Sequence, residues 1–205
     1  MRIKLKILYI HGAFSAFNRE SLKVQNLEKE FEVVGFSYSM EQTFPYNRAV
    51  MTKFCVENGI DCVVGTSLGG LYATEVGRMA AIPSVLINPC LEPFMSLSTI
   101  VGTTSNYATG KEEAFTQELV NTFPKKVAAT PRSLVFVGMN DSLIDHKRTI
   151  ELSADSAGVV RDYEANHYWD DFEQNKLIRD HISKFRRKWQ LLVERVNPSD
   201  AKRGG

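Results

Sequence analysis

The sequence predicts an α/β fold: one domain built on a mainly parallel sheet with helices on both faces. Apolar β-branched runs alternate with helical patterns from one end of the 205-residue chain to the other, the signature of strands joined by crossover helices. The runs are almost continuously hydrophobic, as strands covered on both sides must be. The length suits a single core, and an apolar fraction of 43% with 24% charged residues is ordinary for a globular protein.

The elements follow in order. Leu5–Ile10 is a short strand closed by His11-Gly12. Asn18 or Ser21 caps a helix running to about Glu30, with Leu22, Leu27 and Phe31 on its inner side. Phe31–Ser37 is the second strand. Tyr46–Asn58 is helical and ends at Gly59, the usual place for a residue of positive φ. The strand Asp61–Gly65 leads into a helix over Leu68–Ala80 with Leu71, Val76 and Met79 packing inward. Ser84–Asn88 is a buried strand stopped by Pro89, and a less regular stretch then runs from Cys90 to Pro131. Leu134–Gly138 is again a strand, Asp145–Ser156 a helix, Val159–Tyr163 the last strand, and Asp170–Val196 a long helix, whole or broken. The domain is therefore expected over residues 1–196, with a short cap-like insertion at about 90–131 and a flexible tail at 197–205.

Composition excludes several function classes. A net charge of +1 gives no electrostatic argument for nucleic acid. The basic cluster Lys184, Arg186, Arg187 and Lys188 reads as a solvated helix face. No run approaches the ~20 apolar residues of a membrane span, and the N-terminus lacks the marks of a signal peptide. Cys55, Cys62 and Cys90 have no metal-binding spacing and fit buried thiols of a cytoplasmic protein. The glycines do not form Gly-x-Gly-x-x-Gly, so neither a nucleotide cofactor nor a metal is expected.

Chemistry concentrates at Val63-Val64-Gly65-Thr66-Ser67-Leu68-Gly69-Gly70-Leu71. Gly-x-Ser-x-Gly between a strand and a helix is the nucleophile elbow of α/β-hydrolases. The serine is forced into a strained backbone conformation, so the positions two before and two after it need little or no side chain. Ser67 is the expected nucleophile, and it needs a base and an orienting acid. In this fold they follow in the order acid, then histidine, each on a loop after a later strand. Of four histidines, His11 precedes the serine, while His146 and His181 fall within helices. His167, just past the last strand, is the expected base. Asp141 follows the preceding strand and is assigned to hold the His167 tautomer; Asp145, placed to cap the next helix, is the alternative. The oxyanion donors are expected to be the N–H groups of Leu68 and Ala13, the second from the loop after the first strand.

Ile7-Leu8-Tyr9-Ile10-His11-Gly12, the elbow through Thr74, Ile87-Asn88-Pro89-Cys90-Leu91-Glu92-Pro93, Gly138–Asp145 and Asn166-His167 resemble the small bacterial YqiA/YcfP-type esterases. The likeness runs to about Phe185. It implies a compact α/β-hydrolase acting on carboxylic esters of short acyl chains, with Ser67, Asp141 and His167 as its triad.

A small-molecule ester is thus the expected partner, with Phe14, Phe17 and Phe94 as candidates to line its site. The triad does not encode the leaving group, so a thioesterase or lysophospholipase would use the same residues. A hydrolase-fold protein that only binds is the alternative from another class. It would have no need of a base in register with a strained serine.

Overall fold

The computed structural model describes residues 4–196, with side chains to residue 185, so the expected tail at 197–205 lies outside the described residues. Six parallel strands form one sheet: β1 (Lys6–Ile10), β2 (Glu32–Phe36), β3 (Cys62–Thr66), β4 (Ser84–Ile87), β7 (Ser133–Gly138) and β8 (Gly158–Asp162). Their spatial order is β2-β1-β3-β4-β7-β8. β3 and β4 are continuously buried but for the last residue of β3, and β7 is buried throughout. This is the pattern of central strands covered on both faces.

Alternation along β1 separates two cores. Leu8 and Ile10 face a cluster with Met51 and Cys55 of α2 (Phe44–Glu57) and Leu71, Tyr72 and Val76 of α3 (Leu68–Ala80). Ile7 and Tyr9 face the opposite layer, with Val24 and Leu27 of α1 (Leu22–Glu28) and Ile178 and Ile182 of α7 (Phe172–Val196). Helices therefore cover both faces. Burying one Leu or Ile in either layer contributes roughly 1.5–3 kcal/mol.

Several boundaries move for local reasons. Ser21, not Asn18, caps α1 through its hydroxyl. α2 starts at Phe44 because Thr43 caps it and Pro45 suits a first turn. Leu22 and Met79, expected to pack inward, are exposed. The helix after β7, α6 (His146–Glu151), is shorter than expected: Ser153 Oγ donates to the Thr149 carbonyl and Ala129 N–H caps the Leu152 carbonyl. α7 is continuous.

The stretch between β4 and β7 is more ordered than its sequence suggests. It holds α4 (Pro93–Ser98), an antiparallel hairpin of β5 (Gly102–Ser105) and β6 (Glu112–Phe115), and α5 (Gln117–Val120). It joins the α2–α3 layer through Phe123, whose ring meets those of Phe44 at 5.2 Å and Tyr72 at 6.4 Å.

Candidate active site

The C-terminal ends of β1, β3, β4, β7 and β8 converge on one edge of the sheet. β3 ends at Thr66 and α3 begins at Leu68, so Ser67 alone makes the corner, at φ 56 and ψ −121. That region is costly for any residue with a Cβ and is tolerated only where the surroundings enforce it. The enforcement is visible. Ser67 N–H donates to the Ile87 carbonyl at 2.9 Å, and Cys90 N–H donates to the Ser67 carbonyl at 3.0 Å. A Cβ on Gly65 would stand 2.0 Å from the Gly69 carbonyl oxygen, and one on Gly69 would stand 2.3 Å from those of Ile10 and His11. The two motif glycines thus allow strand, helix and neighbouring loop to approach this closely.

Asp141 and His167 come together across the ends of β7 and β8. Asp141 Oδ2 lies 2.7 Å from His167 Nδ1. The other carboxylate oxygen accepts from Leu143 N–H at 2.8 Å and Ile144 N–H at 2.9 Å, which fixes the acid against rotation. With Nδ1 donating to a carboxylate, the imidazole proton is held there and Nε2 is left as the acceptor. Ser67 Oγ and His167 are not hydrogen-bonded to each other; among the described residues the His167 side chain is bonded to Asp141 alone. Asp145 does other work. Its side chain accepts from Lys147 N–H at 2.8 Å and Arg148 N–H at 3.3 Å, capping α6.

On the opposite side stands the loop after β1. A Cβ on Gly12 would sit 3.5 Å from Ser67 Cβ and 3.9 Å from Ser67 Oγ, so this loop lies directly against the serine. The Ala13 N–H meets no protein acceptor among the described residues. Leu68 opens α3, so its N–H has no acceptor within the helix. His11 is a buried structural residue: its ring stacks on Tyr38 at 4.4 Å, Nδ1 donates to the Gly12 carbonyl at 2.7 Å, and Nε2 accepts from Tyr38 N–H at 3.2 Å. Burial holds its pKa down to about 4, against weaker raising effects of the Gly12 bond and Glu113, so it is neutral at pH 7.

Of the three phenylalanines expected to line a substrate site, Phe14 is buried and Phe17 and Phe94 are half-buried. Phe14 is buried with its ring edge-on to Phe115 at 5.8 Å. Phe17 lies over Gly35 and near Tyr9, on the α1–α7 side of the sheet. Phe94 packs against the α2–α3 core. A cavity of about 570 Å³ opens between α4 and α6, beside the Asp141 loop, with Leu91, Met95, Leu143, Ile144, Asp145 and Arg148 in its wall; neither Ser67 and His167 nor the three phenylalanines line it. Trp169 is fully buried edge-on to Phe136, and its carbonyl accepts from Asn175 at 2.9 Å, so it anchors α7. Among the described residues no group of three or more His, Cys, Asp or Glu could hold a metal ion.

One residue of the site was not anticipated. Asn88, just past β4, adopts φ 42 and donates to the carbonyls of Asn166 at 3.0 Å and His167 at 3.3 Å, while its Oδ1 accepts from Gly138 N–H at 2.7 Å. An Asn before Pro at a strand end was the available signal, since Asn tolerates positive φ better than most residues.

The model of the uncharacterised protein family UPF0227 matches residues 6–183. A UPF0227 protein of Shewanella woodyi is 25% identical over 181 residues, covering 83% of this chain and 90% of that one. The UPF0227 protein YcfP of Escherichia coli O9:H4 is 25% identical over 169 residues, covering 78% and 89%. Among solved structures, mouse alpha/beta hydrolase domain-containing protein 10 superposes with a TM-score of 0.67 at 14% identity, covering 90% of each chain. The esterase domain of a Rhodothermus marinus protein superposes with a TM-score of 0.64 at 14% identity, covering 90% of this chain and 87% of that one. The fold is that of the α/β-hydrolases.

Proposed function

The chain belongs to the UPF0227 family, and we propose that it is a serine hydrolase that cleaves carboxylic esters, with short acyl chains preferred. The observation that carries this reading is the Asp141–His167 pair at 2.7 Å, at the same sheet edge as a serine strained to φ 56. A carboxylate fixed by two N–H groups and aimed at Nδ1 orients an imidazole for base work, a role that a binding protein would not need. The likeness in fold to the R. marinus esterase domain supports the same class.

In this mechanism His167 Nε2 takes the Ser67 proton as Oγ attacks the ester carbonyl. The Ala13 and Leu68 N–H groups receive the oxyanion, a contribution of about 2.7–4 kcal/mol per donor in comparable sites. The imidazolium then protonates the departing alcohol. Water, deprotonated by the same His167, releases the acid from the acyl-enzyme. Asp141 stays ionised throughout.

A cytoplasmic location is part of the proposal. Cys55, Cys62 and Cys90 are buried and unpaired, with burial pushing the first two thiols up to about 12 and the third to about 11, so all three are inert packing residues. No helix of the described residues is long and apolar enough to cross a membrane.

Reaction with a fluorophosphonate probe and hydrolysis of p-nitrophenyl acetate test the proposal. Both are expected of the wild type and neither of Ser67→Ala. A folded wild-type protein inert to both would overturn it. Esters of graded chain length would then show whether activity peaks at short acyl groups.

A further inference from the structure

The loop that presents Ala13 is gripped from outside by the hairpin of the inserted segment. Phe14, next to Ala13, stands at φ 48, a conformation that a residue with a Cβ holds only under constraint. Tyr107 N–H donates to the Phe14 carbonyl at 2.8 Å, and Asn106 Nδ2 donates to the Ser15 carbonyl at 3.0 Å. Two consecutive carbonyls of the loop are therefore held by two consecutive residues of the hairpin turn.

Asn106 is itself fixed on every side. Nδ2 also donates to Glu113 Oε1 at 2.8 Å, and Oδ1 accepts from Ala108 N–H at 3.0 Å and Thr109 N–H at 3.1 Å. All four hydrogen-bonding positions of the side chain are used. Glu113 Oε2 accepts from Met40 N–H at 3.0 Å, tying the hairpin to the segment after β2. Asn106 and Glu113 are 4% and 5% exposed. A buried carboxylate is a costly anchor for a surface hairpin. It is suited to fixing one geometry, because a fully satisfied polar network tolerates little displacement.

We propose that Asn106 and Glu113 are positioning residues that hold the Ala13–Ser15 loop so that the Ala13 N–H is aimed at the oxyanion formed on Ser67. The inserted segment thereby completes the catalytic site. The proposal rests on the serine-hydrolase reading above and adds to it a second set of residues some forty positions or more after the elbow in sequence.

Three variants test it. Asn106→Ala removes the side-chain bonds to both loop and carboxylate. Glu113→Gln keeps the volume but turns one accepting oxygen into a donor facing Met40 N–H or Asn106 Nδ2. Tyr107→Pro deletes the N–H given to Phe14, together with an exposed phenol ring, at the second position of the Asn106–Gly110 turn, with Tyr107→Ala as the control for the ring. Each is expected to lower kcat for p-nitrophenyl acetate by about 10- to 100-fold, the effect of a misplaced catalytic group, with KM within about twofold. Affinity for a phenylboronic acid, which forms a tetrahedral adduct on the serine, is expected to fall by the same factor as kcat. A purely structural hairpin would leave boronate affinity of the folded variants unchanged, and that result overturns the proposal, as does wild-type kcat in Asn106→Ala and Tyr107→Pro. Should Asn106→Ala not fold, Tyr107→Pro compared with Tyr107→Ala decides by the same two readouts. Failure of the wild type itself to react with a fluorophosphonate would instead remove the serine-hydrolase reading beneath it.

Discussion

Asn88 reaches from the end of β4 to the His167 carbonyl, 3.3 Å away, with its own backbone held at φ 42 to do so. The same side chain accepts from Gly138 N–H at 2.7 Å and donates to the Asn166 carbonyl at 3.0 Å. Ser67 N–H is bonded to Ile87, the residue before Asn88. The Asn88 amide thus ties the end of β7 to the His167 loop, one residue after the carbonyl that holds the Ser67 corner.

Asn88→Ala is expected to leave the buried Gly138 N–H without its partner, at about 1–3 kcal/mol of stability, and to loosen the histidine loop. Urea denaturation should show the first effect. A kcat reduced by about tenfold or more in the folded variant should show the second, since small displacements of a catalytic group are costly. Unchanged stability and unchanged kcat would refute the tie.

Asp141 and Asp145 separate cleanly by their contacts. On the proposed mechanism, Asp141→Asn places an amide opposite His167 Nδ1, where its NH2 group faces the ring N–H or the imidazole takes the other tautomer; a loss in kcat of about 10⁴ is expected. Asp145→Asn keeps a good capping residue on α6 and should stay within about 0.5 kcal/mol of wild-type stability with normal kcat. The opposite pattern in steady-state kinetics would move the acid to Asp145.

These assignments show what was legible in sequence and why. The parallel sheet could be read because its central strands carry long apolar β-branched runs, such as Leu134–Val137. Ser67, Asp141 and His167 could be singled out because each stands at the end of such a strand, and the fold brings two of them within 2.7 Å. The hairpin could not be read. β5 is Gly-Thr-Thr-Ser and exposes most of its residues, and its register depends on partners in β6 and on Glu113 reaching Met40. Asn106 was hidden because its value lies in the Ser15 carbonyl, far along the chain, whereas Asn88 offered only its place before Pro89 at a strand end. For the phenylalanines the sequence offered only position along the chain. Phe14, Phe17 and Phe94 lie near the expected site in sequence, while their packing partners, Phe115, Gly35 and the α2–α3 core, come from the tertiary fold.

Glycines around the elbow should divide into two kinds. An added Cβ at Gly65 would meet backbone 2.0 Å away, which neither strand nor helix can yield. Gly65→Ala is therefore expected to cost about 3 kcal/mol or more, the scale of severe overpacking, and to give little folded protein. At Gly12 the nearest atom to an added Cβ is Ser67 Cβ at 3.5 Å, an ordinary contact. Gly12→Ala should fold with stability within about 1 kcal/mol of wild type, while its methyl occupies space beside Ser67 Oγ and, on the proposed mechanism, depresses kcat/KM. Thermal melts and ester hydrolysis on the two variants check both halves.

His11 should make stability fall in mild acid. The unfolded chain protonates this imidazole near 6.5, whereas burial in the fold holds it down to about 4. Between those values the unfolded state binds more protons, so stability is full above pH 6.5 and is lost as the pH falls toward 4. The full difference corresponds to about 3 kcal/mol. Protonation would also turn Nε2 from an acceptor of Tyr38 N–H into a donor facing it, breaking the 3.2 Å bond that seats the ring. Urea unfolding from pH 4 to 7 should therefore show a steeper rise in the wild type than in His11→Asn, which carries no group titrating in that window. The comparison subtracts the carboxylates common to both proteins. Parallel curves would mean that His11 charges in the fold as readily as in the unfolded chain, and that the stacked, neutral imidazole is not what shapes the loop beneath Gly12.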